Sequence, residues 1–264
     1  LYLSISGLDD LEPDAQHLVR ESSKLNQSGR GFSIIGVPVR KIVEDSTIDA
    51  AFVYLATVYG PGKAFASRII PNAVSGKLLI PGNGNNRITL VHVQDAARAI
   101  VHISLRKSDI KGRNIIVSDG KGATLREFFS SFSEYLGTKA PRRVWRSLAI
   151  LAAGRPAVET LTADRIAEPS FLKETGFTFQ FPTWKEGVPA TLASSGYTGA
   201  VRQKESFLKS LRFLTISFVT AFAGFVSVNL FNFRLSVPYM KSLSGGMAML
   251  DLQLFYTPQI VYSL

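Results

Sequence analysis

Short apolar runs that end at glycine-rich or asparagine-rich turns make up the first half of the chain. Leu1 to Ser6 predicts a short buried strand that ends in small residues. Val37 to Ser46 favours a helix. Ala50 to Val58 is uncharged and suits a strand buried on both faces, as in a parallel sheet. This run stops at Tyr59-Gly60-Pro61-Gly62, which is a strong breaker of regular structure.

The alternation of elements continues downstream. Asp95 to Arg106 places alanine and isoleucine at helical spacing, and the carboxylate of Asp95 can accept from free backbone N–H groups near the helix start. Thr124-Leu125-Arg126-Glu127 is a capping-box pattern that opens a helix ending at Gly137. A helix is also predicted at Phe65 to Ser75, and strands at Ile88 to Val93 and Asn114 to Val117. Alternating strands and helices predict an α/β architecture.

The C-terminal segment differs in composition. Phe213 to Phe233 has no charged residue, and at about 1.5 Å per residue its length matches a hydrocarbon core of roughly 30 Å. Flanking Arg212 and Arg234 favour a transmembrane helix, whereas its serine, threonine and asparagine residues fit a buried core helix. We therefore predict an α/β domain at 1–200, a basic linker at 201–212, a transmembrane helix at 213–233 and an incomplete, apolar, membrane-associated tail at 234–264.

Composition excludes several kinds of site. The chain has no cysteine, so disulfides, thiolate nucleophiles and cysteine-ligated zinc are excluded, and its three histidines lack metal-ligand spacing. We expect no metal site. The formal charge of +10 suggests nucleic-acid binding, but the basic clusters, at Arg142 to Arg146 and Lys204 to Arg212, are small. We expect them to be solvated or to face lipid, with no nucleic-acid partner.

Several sequence blocks occur in the order typical of one family. Val58-Tyr59-Gly60-Pro61-Gly62 comes first, then Ile80-Pro81-Gly82-Asn83-Gly84 with Leu90 to Ile100, then Asn114 to Gly120, and finally Leu172 to Leu192. Together they resemble extended short-chain dehydrogenases/reductases of the NAD-dependent epimerase/dehydratase type. The resemblance implies the C-terminal part of a Rossmann-like, doubly wound sheet with a substrate subdomain. With a transmembrane helix added, this is the predicted fold class.

The resemblance also indicates where catalysis would occur. The family uses a hydroxyl at a strand end, here Ser6, and a Tyr-x-x-x-Lys pair in which tyrosine exchanges the proton and lysine lowers its pKa. Phe32 and Gly36 occupy the tyrosine and lysine positions. Phenylalanine has no ionisable proton, and glycine carries no charge. Lys41 is not a substitute, because no tyrosine precedes it by four residues.

The binding residues follow from the same resemblance. NAD or NADP is the implied cofactor, with Ser4 and Tyr59 as cofactor contacts, although the chain contains no glycine-rich dinucleotide-binding motif. The family carries that motif at its N-terminus. Because this chain starts at Leu1 inside an apolar run, we expect an N-terminally truncated fragment.

Asn72 and Arg87 match residues that bind the diphosphate of a nucleotide-linked sugar, and a guanidinium fork suits phosphate. The alternative for each is an ordinary surface polar residue. His92 is expected to be structural. Tyr54-Leu55 departs from the family's Arg-Pro pair.

Three readings of function remain open. The first is a membrane-anchored, NAD(P)-dependent epimerase/dehydratase-like oxidoreductase acting on a nucleotide-linked sugar or other small molecule. The second is a non-catalytic interaction or assembly subunit with the dehydrogenase fold at a membrane, and the third is a sterol-type dehydrogenase. The predicted localisation is a membrane with the soluble domain in the cytoplasm. The predicted protein partners are a second copy of the chain or a membrane complex.

Overall fold

The computed structural model describes residues 1–62 and 65–199. Its strands are β1 (Tyr2–Gly7), β2 (Leu18–Arg20), β3 (Ala50–Leu55), β4 (Thr57–Tyr59), β5 (Leu79–Pro81), β6 (Arg87–His92), β7 (Asn114–Val117), β8 (Gly122–Thr124), β9 (Arg142–Val144) and β10 (Ile166–Glu168). Its helices are α1 (Ser33–Glu44), α2 (Ile70–Val74), α3 (Val93–Ser104), α4 (Lys107–Ile110), α5 (Leu125–Leu136), α6 (Arg146–Ala153), α7 (Arg155–Thr162), α8 (Phe171–Glu174) and α9 (Trp184–Ser194). A 3₁₀ turn at Leu8–Asp10 and a π-helical turn at Phe65–Ile69 complete these elements.

A parallel three-stranded sheet in the order β1-β3-β7 forms the centre of the first apolar cluster. Ser4 lies beside Phe52, and Ser6 lies beside Tyr54, in the β1–β3 register. Every residue of β3 from Ala50 to Tyr54 is buried. This confirms a parallel strand covered on both faces, as its uncharged sequence predicts.

The long apolar run predicted as one strand is divided in the structure. β3 ends at Leu55, and after Ala56 the chain continues as β4, which pairs in parallel with β6. β6 also pairs antiparallel with β8. The break sends the chain from the first sheet into a second, so the Tyr59-Gly60 turn belongs to the second apolar cluster.

The predicted helices differ mainly at their boundaries. α1 begins at Ser33, four residues before the predicted start, and the segment from 65 forms a π-helical turn before α2. α5 has the predicted capping box between Thr124 and Glu127, and Gly137 ends it with φ 63°. These local signals are confirmed because each depends on side chains within one helical turn.

The predicted transmembrane helix requires a correction. None of the helices in residues 1–62 and 65–199 combines the length and apolar composition needed to cross a bilayer. The longest have 12 residues, or about 18 Å against a hydrocarbon core of roughly 30 Å. The span predicted at Phe213 to Phe233, the linker and the tail lie outside the described residues. The fold class is corrected to α/β without that helix, and the membrane localisation drawn from it is corrected as well.

Candidate active site

The carboxyl end of β1 carries two serines and leads into two buried aspartates. Ser4 is 8% exposed, and the chain turns after Gly7 through the 3₁₀ turn at Leu8–Asp10. The Ser6 hydroxyl donates a hydrogen bond to the carboxylate of Asp10. The strand end therefore places a hydroxyl next to a buried acid.

Asp10 is almost completely enclosed. It is 1% exposed, and its Oδ2 has no hydrogen-bond partner in the described part of the chain. Burial raises the pKa of its carboxyl, and the charge of Asp9 adds to the rise, whereas the bond from Ser6 and the charges of Arg40 and Arg165 oppose it. A neutral, protonated Asp10 is consequently favoured over a wider pH range than for an exposed aspartate.

Asp9, unlike Asp10, accepts hydrogen bonds at both carboxylate oxygens. The guanidinium of Arg165 and the hydroxyl of Thr160 both donate to its carboxylate, and the backbone N–H of Phe32 donates at 3.1 Å. Arg165 is itself largely buried. This carboxylate ties the end of β1 to the start of α1 and to α7, which is a structural role.

Phe32 and Gly36 lie next to the two aspartates that follow β1. Phe32 is the residue before α1, and it is 48% exposed. Gly36 faces Asp10 so closely that a Cβ at position 36 would overlap the Asp10 carboxylate. The two positions thus offer neither a phenol nor an ammonium group for proton transfer to a substrate.

A cation reaches this sheet from helix α1 instead. The Arg40 guanidinium lies 3.9 Å from the centroid of the Phe52 ring and donates to the Tyr54 hydroxyl and to Asn114 Oδ1. It also pairs with Glu44 at 2.7 Å. Tyr54 stands where the family has arginine, and its partner Arg40 is fully committed to these contacts.

Tyr59, predicted to bind cofactor, lies in the second apolar cluster. It is 1% exposed, and its ring packs edge-on against His92 and Phe128 at 5.3 Å between centroids. Burial raises the pKa of its hydroxyl above the ordinary value. Ser4 belongs to the first sheet, so these two predicted cofactor contacts lie in different sheets.

His92 has the surroundings of a structural histidine. Its ring packs 4.1 Å from Phe181 between centroids, its Nδ1 accepts from the Gln94 N–H at 3.3 Å, and its Nε2 lies 3.3 Å from the Thr191 hydroxyl. Burial lowers its pKa. Both ring nitrogens are engaged inside the core, in agreement with the expected structural role.

The two predicted diphosphate-binding residues lie on α2 and β6. The side-chain amide of Asn72 donates to the Arg68 carbonyl at 2.7 Å. Arg87 donates to Asp164 through Nε at 3.0 Å and Nη2 at 3.2 Å, and its backbone N–H donates to the same carboxylate at 2.7 Å. The Arg87 side chain is 40% exposed. A phosphate would therefore compete with Asp164 for this guanidinium.

Sequence reasoning missed an open cleft beside β7. Its volume is about 1160 Å³. Apolar side chains line part of it, and its polar lining residues are Arg20, Glu21, Ser22, Asp119, Glu168, Ser170, Lys173 and Glu174. Burial raises the pKa of the Asp119 carboxyl to about 7, and its Oδ2 has no hydrogen-bond partner among the described residues. The Ser118-Asp119-Gly120 turn at the end of a buried strand was the available sequence signal.

Comparison with known proteins agrees with this architecture. Residues 38–117 match the model of the NAD dependent epimerase/dehydratase family. The match covers less than a third of the chain. A 3-diazoavenalumate denitrifying reductase from a Streptomyces species is 26% identical over 153 residues, which cover 57% of this chain and 49% of the reductase. The chain thus spans about half the length of this curated relative.

Solved structures of epimerase/dehydratase proteins share the fold. The human epimerase family protein SDR39U1 with NADPH matches with a TM-score of 0.63 at 18% identity, covering 72% of this chain and 64% of that one. MoeE5 in complex with UDP-glucose and NAD matches at 0.58 and 18%, covering 74% and 64%. UDP-glucuronic acid 4-epimerase from Bacillus cereus in complex with NAD matches at 0.55 and 17%, covering 74% and 60%. At these identities the likeness shows the fold alone, and the chain spans less than two thirds of each structure.

The epimerase/dehydratase family implies NAD(P), but the described residues do not form a complete site for it. Ser4 and Tyr59 are buried, and Phe32 and Gly36 supply neither phenol nor ammonium. The sequence contains no glycine-rich turn to hold a pyrophosphate at a helix start. We therefore derive no catalytic step through the cofactor from these residues.

Proposed function

We propose that the protein is an NAD(P)-dependent oxidoreductase of the epimerase/dehydratase type, acting on a nucleotide-linked sugar, and that this chain supplies its substrate-binding part. The family match and the shared fold support the reaction class. The observation that carries the substrate class is the half-exposed guanidinium of Arg87, which follows the glycine turn at Gly82 to Gly84.

The pairing of Arg87 with Asp164 suits reversible phosphate binding. Two parallel N–H groups of Arg87 already hold a carboxylate, and the oxygens of a diphosphate present the same spacing to a guanidinium fork. The diphosphate carries more charge than Asp164, so it can displace that carboxylate. Asn72 on α2 is the second polar group assigned to the same diphosphate.

The proposed activity requires a group that exchanges a proton with the substrate. Oxidation of a sugar hydroxyl requires a group that accepts its proton, and Phe32 and Gly36 provide none. Ser6 carries a hydroxyl at this strand end, and its hydroxyl hydrogen is donated to Asp10. Binding of a nucleotide and turnover of a sugar must therefore be measured separately.

The binding test uses the full chain of 264 residues and isothermal titration calorimetry with UDP and UDP-glucose. We expect saturable binding that Arg87→Ala weakens by about tenfold, which corresponds to the loss of roughly one charge-assisted hydrogen bond. Arg106→Ala, which removes a cation from a different surface, is the matched control. Absence of binding at millimolar UDP-glucose would reject the nucleotide-sugar proposal.

A second candidate function is a non-catalytic subunit with the dehydrogenase fold. The contact of Gly36 with Asp10 favours it, because the lysine position is packed against a buried acid. A variant combining Phe32→Tyr, Gly36→Lys and Asp10→Ala restores the missing pair and removes the overlap. Under this hypothesis neither the native chain nor that variant converts UDP-glucose to another nucleotide sugar in the presence of NAD, as measured by chromatography of the products. Turnover by the native chain would contradict it.

The sterol-type alternative is tested with the same turnover assay and the same calorimetry. Replacing UDP-glucose by a hydroxysteroid should give no turnover and no heat of binding if Arg87 serves a diphosphate. Binding of the steroid that is unaffected by Arg87→Ala would favour the sterol reading instead.

A further inference from the structure

Helix α6 and the strand before it present an unusual surface. We call the exposed side chains of this segment the α6 surface. It consists of Arg142, Arg143, Trp145, Arg146, Leu148, Leu151 and Arg155.

Two apolar side chains of the α6 surface, Trp145 and Leu151, are the most exposed large apolar side chains of the described residues. Trp145 is 80% exposed, Leu148 52% and Leu151 85%, and α6 has no buried residue. Three large apolar side chains spaced three residues apart share one face of a helix. Single exposed apolar residues are common, but Leu148 and Leu151 on α6, with Trp145 directly before the helix, form a row that indicates a contact surface.

The charge around this row has one sign. Between Glu134 and Glu159 the sequence contains no acidic residue. The side chains of Arg142, Arg143, Arg146 and Arg155 form no ion pair within the part of the chain that the structure describes. Elsewhere in that part, five arginines are each paired with a carboxylate: Arg20, Arg40, Arg87, Arg98 and Arg165. The arginines of the α6 surface are thus available to an external anion.

We propose that the α6 surface is the docking site of an acidic protein partner, whose carboxylates pair with the arginines while an apolar socket receives Trp145 and Leu151. Tryptophan and arginine are the residue types that dominate the binding energy of protein interfaces. An apolar centre ringed by guanidinium groups matches the anatomy of such an interface. The guanidinium group of arginine binds a carboxylate through two parallel hydrogen bonds, in a bidentate ion pair.

Charge argues against partners from the chain itself. A second copy carries the same net charge of +10 and is repelled. Residues 200–264 are also basic, because their six cationic residues, Arg202, Lys204, Lys209, Arg212, Arg234 and Lys241, outnumber Glu205 and Asp251. The acidic occupant must therefore come from another molecule.

Two other anionic partners fit the apolar row less well. A nucleic acid offers phosphates and bases but no aliphatic socket for Leu148 and Leu151. A helix that lies in a bilayer surface has a wide apolar face and a strongly charged opposite face, whereas the eight residues of α6 extend only about 12 Å. The face of α6 opposite Leu148 is formed by Arg146, Ile150 and Ala153, and Arg146 is the single charged residue of the helix.

The test uses Trp145 as a reporter in the full chain. Trp184→Phe leaves Trp145 as the single tryptophan, since the chain has two. The probe is a synthetic helical peptide with leucine on one face and glutamate on the other, and its counterpart replaces glutamate by lysine. We expect the glutamate peptide to shift Trp145 emission to shorter wavelength and the lysine peptide to cause no shift.

Variants locate the binding surface. The double variant Arg142→Glu, Arg143→Glu should lower the affinity for the glutamate peptide by about tenfold or more. Leu151→Ser should lower this affinity without changing the salt dependence of binding. Leu105→Ser with Lys107→Glu alters an exposed leucine and a cation elsewhere and should have no effect. No emission shift with the glutamate peptide, or a shift that survives the double arginine reversal, would overturn the proposal. Stronger binding to phosphatidylserine vesicles or to single-stranded DNA than to the peptide would overturn it as well.

Discussion

The Asp10 carboxylate fills the space into which a side chain at position 36 would project, so glycine is the residue that fits at that point of α1. In a helix interior, alanine normally stabilises relative to glycine by about 1 kcal/mol. Here the added Cβ overlaps a buried carboxyl with little room to move. We therefore predict that Gly36→Ala lowers the free energy of unfolding by about 1–3 kcal/mol, as overpacking of a core does.

Chemical denaturation measures this change. Gly62→Ala is the matched control, because a Cβ there meets no atom of the described residues within 4 Å. Gly36→Ala should not lower the free energy of unfolding when Asp10 is replaced by alanine, because the Asp10 carboxyl that overlaps the added Cβ is then absent. A stabilising Gly36→Ala in the native background would show that Asp10 does not restrict position 36.

Asp119 should make stability depend on pH. Its pKa is raised by burial to about 7 in the folded chain, whereas an unfolded aspartate titrates near about 4. Between these values the folded state binds the additional proton, so stability falls as pH rises and levels off above about 7. Asp119→Asn removes this requirement for a proton, and we expect it to stabilise the chain at about pH 8 relative to native but not at about pH 4.

Urea denaturation at the two pH values checks the prediction, with Asp45→Asn as an exposed control. An equal effect of Asp119→Asn at both values would mean that Asp119 does not titrate in this window.

Asp164 should limit the affinity of Arg87 for phosphate. We predict that Asp164→Ala increases the affinity for UDP several-fold, because the diphosphate no longer competes with a carboxylate. The same change should lower stability by about 1 kcal/mol, since the Arg87 N–H loses its acceptor. Calorimetry with UDP and denaturation measure the two effects. Reduced UDP affinity in Asp164→Ala would indicate that Asp164 positions Arg87 instead of competing for it.

Asp95 should be required for the loop before α9. Its buried carboxylate accepts from the backbone N–H groups of Gln180 and Phe181, both at 2.8 Å, and pairs with Arg98 at 2.7 Å. We expect Asp95→Asn to lower the free energy of unfolding by about 2 kcal/mol, because one acceptor oxygen is replaced by an N–H₂ donor that faces a backbone N–H group. Hydrogen exchange should increase at residues 180 and 181 more than in α3. Loss of protection confined to α3 would instead support a helix-capping role.

The sequence determined the features that depend on neighbouring residues. The capping box of Thr124 and Glu127, the helix end at Gly137 and the buried β3 run need only the few residues around them. The sequence also shows the ordered family blocks and the lack of tyrosine and lysine at positions 32 and 36. A short window of sequence holds all the side chains involved in such features.

Only the tertiary structure decided the roles of the charged groups. Asp95 was predicted to cap α3, but the side chain that caps it is His92, and Asp95 binds a loop 85 and 86 residues away. Arg87 meets Asp164 across 77 residues, and Asp9 meets Arg165 across 156. Asp9 and Asp10 are adjacent in sequence, yet one carboxylate is saturated by donors and the other keeps a buried, unpaired oxygen among the described residues. Burial and partners set the charge state of an acid, and both arise from packing between distant segments, which no local pattern encodes.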